Sequence, residues 1–206
     1  MTAREDATTI NSIVRQALVS AQEVMGDNGL NTVLRTCGLE RFIGNFPPNN
    51  LEPSIQASQY AKFNEAIEAF YGRGGKGILR RIGKASFQYG VREQSALLGI
   101  AGVALKLLPE KQRIKFILNG MADALKKSNP EVNAWVDESN DKLAYVEATC
   151  AICNGRHSAE PICHLYVGSV SEAVQWATGK EYVVTETHCL AKGDEYCRFE
   201  VGEARS

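Results

Sequence analysis

Apolar residues in the first two-thirds of the chain recur at helical spacing. Ile10, Ile13, Val14, Ala17, Leu18, Ala21, Val24 and Met25 form one stripe, with the i, i+3, i+4, i+7 period of a helix that buries a single face. Gly26 fits its stop. Leu30, Val33, Leu34 and Cys37 predict a shorter helix ending at Gly38. Gly44-Asn-Phe-Pro-Pro-Asn-Asn, followed by Pro53, reads as a loop, because proline fixes φ and removes a backbone donor. Tyr60, Phe63, Ile67 and Phe70 mark a further helix that stops at Gly72. Helical pattern runs from Gly75 to about Leu108, with breaks expected near Gly83 and Gly90. Pro109 opens another helix, carrying Ile114, Ile117, Leu118, Met121 and Leu125, which Asn129-Pro130 closes.

Beyond Pro130 the period shortens. Val132–Asp137 and Leu143–Thr149 read as strands joined by a polar turn at Ser139-Asn140-Asp141. A helix follows from about Ile162 to Trp176, with Gly179 beyond its end. Tyr182–Thr187 and Tyr196–Val201 are two more strands, and Lys192-Gly193-Asp194 lies in the turn between them. Hairpin-sized connections favour antiparallel pairing. The expected fold class is α+β, with an N-terminal helical layer packed on a small antiparallel sheet from a C-terminal β-β-α-β-β unit. No linker divides residues 1–206, so one domain is expected. Residues 1–50 are too short to hold an independent core and are read as a dimerisation element.

Composition narrows the function. Of 206 residues 44% are hydrophobic and 23% charged, the balance of a soluble globular chain that buries a core. Net charge is -1, so no global basic field draws nucleic acid, and none is expected as a partner. The longest apolar stretch, Ser95 to Leu108, is interrupted by Gly99, Gly102 and Lys106. No membrane span is therefore expected. The first residues lack the apolar segment of a signal peptide, and a cytoplasmic location with reduced thiols is expected.

Cysteine placement supplies the chemistry. Cys37 stands apart, while Cys150, Cys153, Cys163, Cys189 and Cys197 cluster near the end with all three histidines. Glu186 ends a predicted strand, Cys189 follows in the turn and Cys197 begins the returning strand, so one hairpin gathers the three. Cys163, at the start of the preceding helix, can approach as a fourth donor. Three thiolates and a carboxylate suit a closed tetrahedral Zn²⁺ site of structural type, and soft sulfur disfavours Ca²⁺ or Mg²⁺. Buried reduced thiols packing as small apolar groups are the plainer alternative. Cys150-Ala-Ile-Cys153 competes. It is half of another ligand set with Cys189 and Cys197, an iron–sulfur ligand pair, or a redox pair, although it runs into the Asn154-Gly155 turn instead of opening a helix. His164 and His188 adjoin thiols but read as partly exposed polar residues.

Tyr71-Gly-Arg-Gly-Gly-Lys-Gly-Ile-Leu-Arg-Arg-Ile-Gly-Lys is not a phosphate loop. Gly77 follows Lys76 where Ser or Thr is needed, and no strand precedes it. It reads as a turn opening a helix with a solvated basic face.

Pro161-Ile-Cys163-His-Leu-Tyr-Val-Gly168, Trp176-Ala-Thr-Gly179-Lys and Thr185-Glu186-Thr-His-Cys189-Leu-Ala-Lys-Gly193-Asp194-Glu-Tyr-Cys197-Arg-Phe together resemble the 4-vinyl reductase domain, a hydrocarbon- or small-molecule-binding family. Its fold is akin to the ligand-binding domains of nitric-oxide signalling and Golgi transport proteins. The resemblance covers roughly residues 130–201. It implies an α+β fold, a homodimer, an apolar cavity, and zinc held by three cysteines and a glutamate at Cys163, Glu186, Cys189 and Cys197. Aromatic sensors of the family add ATPase and DNA-binding domains, for which 206 residues leave no room, so a stand-alone transcription activator is not expected. The family name implies vinyl reduction in (bacterio)chlorophyll synthesis. Yet the chain shows neither a nicotinamide fingerprint nor a flavin motif to supply hydride, which favours binding over catalysis. The expected function is to hold an apolar or aromatic ligand, hydrocarbon or tetrapyrrole-like, with Phe87, Phe116, Trp135, Tyr145 and Trp176 as candidate lining. An accessory role in tetrapyrrole reduction and a protein-interaction scaffold are the alternatives.

Overall fold

The computed structural model describes residues 7–98, 105, 107–139 and 142–205. The element order is β1 (Thr8–Ile10), α1 (Asn11–Thr36), β2 (Pro53–Gln56), α2 (Ala57–Tyr71), α3 (Gly75–Leu98), α4 (Glu110–Ser128), β3 (Ala134–Ser139), β4 (Lys142–Glu147), α5 (His164–Thr178), β5 (Tyr182–His188) and β6 (Cys197–Ala204). The architecture is α+β, as the change of period predicts. A helical layer packs on a four-stranded antiparallel sheet in the order β3-β4-β6-β5. A short antiparallel ribbon, β1 with β2, lies outside it. The pattern predicts a helix at Ile10 and a loop at Pro53, because neither the three- nor the four-residue strand is long enough to show alternation.

The stripe on α1 buries Val14, Ala17, Leu18 and Ala21, then Leu30, Val33 and Leu34 after the break. That break is Gly26, whose φ of 73° and ψ of 168° are non-helical, so α1 consists of two helical segments that meet at a kink where the sequence predicts a stop. Asn11 fastens the helix start to the Pro-rich loop, its side-chain amide donating to Asn50 Oδ1 at 2.8 Å.

Gly83 and Gly90 do not break α3, which is continuous through both. Gly83 serves a tertiary contact that no local pattern announces. A Cβ on Gly83 would lie 1.9 Å from the Leu165 carbonyl oxygen, and one on Gly168 would lie 2.1 Å from that of Arg80. The two glycines face each other where α3 crosses α5, so the backbones approach as only glycine permits. Ser169 Oγ donates to the Gly83 carbonyl at 3.0 Å and locks the crossing. Where the helical pattern continues over 99–104 and 106, and at Asn140 and Asp141 of the predicted turn, the reading lies outside the described residues.

Strand register decides which side chains meet the helices. Glu186 pairs with Phe199, Phe199 with Tyr145, and Cys197 with Glu147. Each of these is buried, on the face that α5 covers. Trp135, Val146 and Arg198 share the other face. There Trp135 packs edge-on against Tyr196 with ring centroids 5.9 Å apart, and Arg198 bridges to Asp137 at 3.1 Å and Glu200 at 2.7 Å.

Candidate metal centre and ligand cavity

Five thiols and one carboxylate converge between the N-terminus of α5 and the β5–β6 hairpin. Cys163 is the residue that caps α5. Its backbone N–H donates to Glu186 Oε2 at 2.7 Å, which ties the helix to β5. Cys189 begins the short helical turn Leu190–Lys192, and its N–H donates to Asp194 Oδ2 at 2.8 Å. Cys197 opens β6, and its sulfur accepts the Leu190 N–H at 3.4 Å. Cys163 Sγ lies 3.9 Å from Cys189 Sγ and 3.8 Å from Cys197 Sγ. The donor atoms of Cys163, Glu186, Cys189 and Cys197 all lie within 4.8 Å of one another.

Cys150 and Cys153 belong to the same cluster. Cys150 Sγ is 3.6 Å from Cys163 Sγ, and Cys153 Sγ is 3.5 Å from Cys197 Sγ. Cys150, Cys153, Cys163 and Cys197 form a second set within 4.8 Å, so four buried cysteines could hold a metal. By sequence alone the CxxC pair competes with Cys163 and Glu186. The fold places both beside the same two sulfurs, because the loop after β4 returns beneath the start of α5.

The donor chemistry fits a cation. Glu186 Oε1 is buried and has no hydrogen-bond partner among the described residues, so one carboxylate oxygen remains for a ligand of another kind. Burial, then the Cys189 thiolate, pushes the Glu186 carboxyl up to about 9. Burial likewise raises the Cys150 and Cys163 thiols. Cys153 pushes Cys189 up, but Cys163 and Cys197 outweigh it and hold that thiol near 6. A divalent ion reverses the cost of gathering these anions.

Arg156 follows the CxxC pair and anchors its loop to α2, with Nη2 2.6 Å from Glu68 Oε2. Both side chains are largely buried, so removing one strands the other. Arg156→Ala should cost about 1–2 kcal/mol and lower the unfolding midpoint by roughly 2–8 °C, as read by thermal denaturation.

Beside the metal cluster lies a cavity of about 140 Å³. Apolar side chains dominate its wall, among them Ile13, Phe87, Met121, Leu125, Ile152 and Leu165. Ser86 and Ser169 reach it, but their hydroxyls already donate to the Ile82 and Gly83 carbonyls. A smaller hollow of about 50 Å³ shares Ile10, Ile13, Tyr60, Leu125 and Tyr166 with it, and Glu147 faces that second space. Burial pushes the Glu147 carboxyl up to about 7, although Tyr166 and Tyr145 donate to it. Of the aromatic residues singled out in the sequence, Phe87 lines the cavity. Tyr145 is wholly buried beside Tyr166, with ring centroids 6.0 Å apart. Trp135 lies on the far face of the sheet. Phe116 and Trp176 are exposed, on the outer sides of α4 and α5, because their neighbours Ile117, Leu118, Ala173 and Val174 take the inward positions.

The C-terminal part is similar to a known domain family. Residues 145–203 match the V4R domain family. The V4R match contains Cys150, Cys153, Cys163, Glu186, Cys189 and Cys197, the whole cluster. Two uncharacterized proteins of Methanocaldococcus jannaschii are similar over shorter stretches. One is 32% identical over 88 residues, 42% of this chain and 39% of that protein. The other is 33% identical over 64 residues, 31% and 35% of the two chains. The chain thus spans about two-fifths or less of the length of these relatives.

Likeness of fold extends much further than the V4R segment. An oxygen-binding H-NOX domain related to soluble guanylate cyclases, in its oxygen complex, superposes with a TM-score of 0.61 at 14% identity, covering 94% of this chain and 93% of that one. A mutant of the T. tengcongensis H-NOX gives 0.62 at 13%, covering 94% and 95%. The H-NOX protein of S. oneidensis in the Fe(II)NO ligation state gives 0.56 at 10%, covering 93% and 99%. The helical layer and the V4R segment together therefore form an H-NOX-like fold.

Proposed function

We propose that this protein binds an apolar or aromatic small molecule in the cavity between α1, α3, α4 and α5, and that zinc at the thiol cluster braces the wall behind it. The observation carrying the reading is the 140 Å³ apolar hollow. A space on the order of 150 Å³ takes one benzene-sized ring, which favours a single-ring aromatic or short hydrocarbon over a tetrapyrrole. Gln16 gives the lining a side-chain amide, and a few polar groups in an apolar wall set ligand orientation. The family resemblance and the ligand-holding H-NOX proteins of the same fold support a binding role. Zinc would be structural, since four protein donors leave no coordination position for water. Cys163, Glu186, Cys189 and Cys197 would hold it, joining α5 to the final hairpin.

Ligand-observed NMR with benzene and toluene tests the cavity. Saturable binding is expected, and Met121→Trp, which puts an indole into the hollow, should weaken it at least tenfold. Absence of binding to the unaltered chain, or equal binding to the variant, would reject the site. Native mass spectrometry of the purified full chain reads the metal, any retained ligand and the expected homodimer together. Cys189→Ser should reduce zinc content and thermal stability, and unchanged zinc in that variant would remove Cys189 from the ligand set.

A further inference from the structure

We propose that the cluster is a two-metal thiolate centre. Cys163 and Cys197 bridge two zinc-type divalent ions, Cys150 and Cys153 complete one of them, and Glu186 and Cys189 complete the other. This rests on the metal-binding part of the reading above and adds a second ion to it.

One tetrahedral ion needs four donors, and six are assembled here in two sets of four that share Cys163 and Cys197. The spacing is that of coordination shells. With Zn–S near 2.3 Å, sulfurs on one tetrahedral ion stand about 3.8 Å apart. The shared pair, Cys163 and Cys197, is separated by 3.8 Å. Cys150 stands 3.6 Å from Cys163, and Cys153 stands 3.5 Å from Cys197. Cys189 stands 3.9 Å from Cys163. Two tetrahedra joined along the Cys163–Cys197 edge reproduce all four distances. An iron–sulfur cluster inserts sulfide between its irons and would hold its cysteines farther apart.

Charge leads to the same count. With every donor deprotonated by bound metal, five thiolates and one carboxylate would carry six negative charges. Two divalent ions leave two, the residual charge of an ordinary four-thiolate zinc site. One ion would leave four, or would require two of the thiols to stay protonated against it. The Leu190 N–H directed at the Cys197 sulfur adds a fixed donor at one bridging position, which already shares its electron density between two ions.

Metal analysis and native mass spectrometry of the full chain, purified without chelator and with reductant, test this. Two zinc ions per chain are expected. The Cys150→Ser/Cys153→Ser variant should keep one, and so should Glu186→Gln/Cys189→Ser. The unaltered chain loaded with ¹¹³Cd²⁺ should give two resonances of equal intensity, coupled through the shared sulfurs, a result that does not depend on any variant folding. One zinc per chain, unchanged in Cys150→Ser/Cys153→Ser, would overturn the second ion and leave the single structural zinc standing. One zinc with a mass lower by two hydrogens, the mark of a Cys150–Cys153 disulfide, would overturn it equally. No bound metal at all would overturn both.

Discussion

Gly83→Ala should lower the thermal unfolding midpoint by on the order of 10 °C, although it adds only one methyl group to a helix. Alanine is the better helix former, so local propensity predicts the opposite sign. The tertiary contact decides. The new Cβ would lie 1.9 Å from the Leu165 carbonyl oxygen, a backbone atom that cannot rotate away as a side-chain tip would. The helices must separate, and Ser169 then loses its 3.0 Å bond to the Gly83 carbonyl. Overpacking typically costs 1–3 kcal/mol, more where backbone is displaced, and each kcal/mol is worth about 2–4 °C at this chain length. Gly77→Ala in the same helix is the control. Its Cβ meets nothing within 4 Å, so it should be neutral or stabilising by a few tenths of a kcal/mol. Equal midpoints for the two variants would show that the crossing yields easily.

Cys163→Ser is the second large effect. Cys163 is fully buried and belongs to both donor sets, so neither set survives its loss intact. Metal content should fall to a small fraction of that of the unaltered chain. Loss of a buried structural metal ligand costs roughly 4 kcal/mol or more, equivalent to a midpoint shift on the order of 10 °C. Chelator should destabilise the unaltered chain by a comparable amount and have little further effect on the variant. A variant with full metal content and an unchanged midpoint would remove Cys163 from the site.

Local periodicity carried much of the fold. The stripe from Ile13 to Met25, the Pro109 start and the β-β-α-β-β order are all statements about neighbours in sequence, and the structure has them. Gly83 was misread for the converse reason. A glycine inside a helical pattern signals a break or a close approach, and only the partner, Gly168 on a distant helix, tells which. The Glu186, Cys189 and Cys197 grouping was legible because one hairpin contains it. That Cys150 and Cys153 reach Cys163 and Cys197 was not, because it depends on the path of residues 148–162, where no regular element sets direction. Glu147 was hidden for a related reason. A glutamate at a strand end reads as solvated, and its burial follows from the register that opposes it to Cys197.

Ile152 lines the hollow while standing between Cys150 and Cys153 in the chain. Covalent geometry fixes consecutive Cα atoms about 3.8 Å apart, so a guest that shifts the backbone of Ile152 also shifts that of Cys153. Two equilibria that share one segment of backbone are linked, and linkage is reciprocal. Whatever factor a guest applies to cation affinity, the cation must apply to guest affinity.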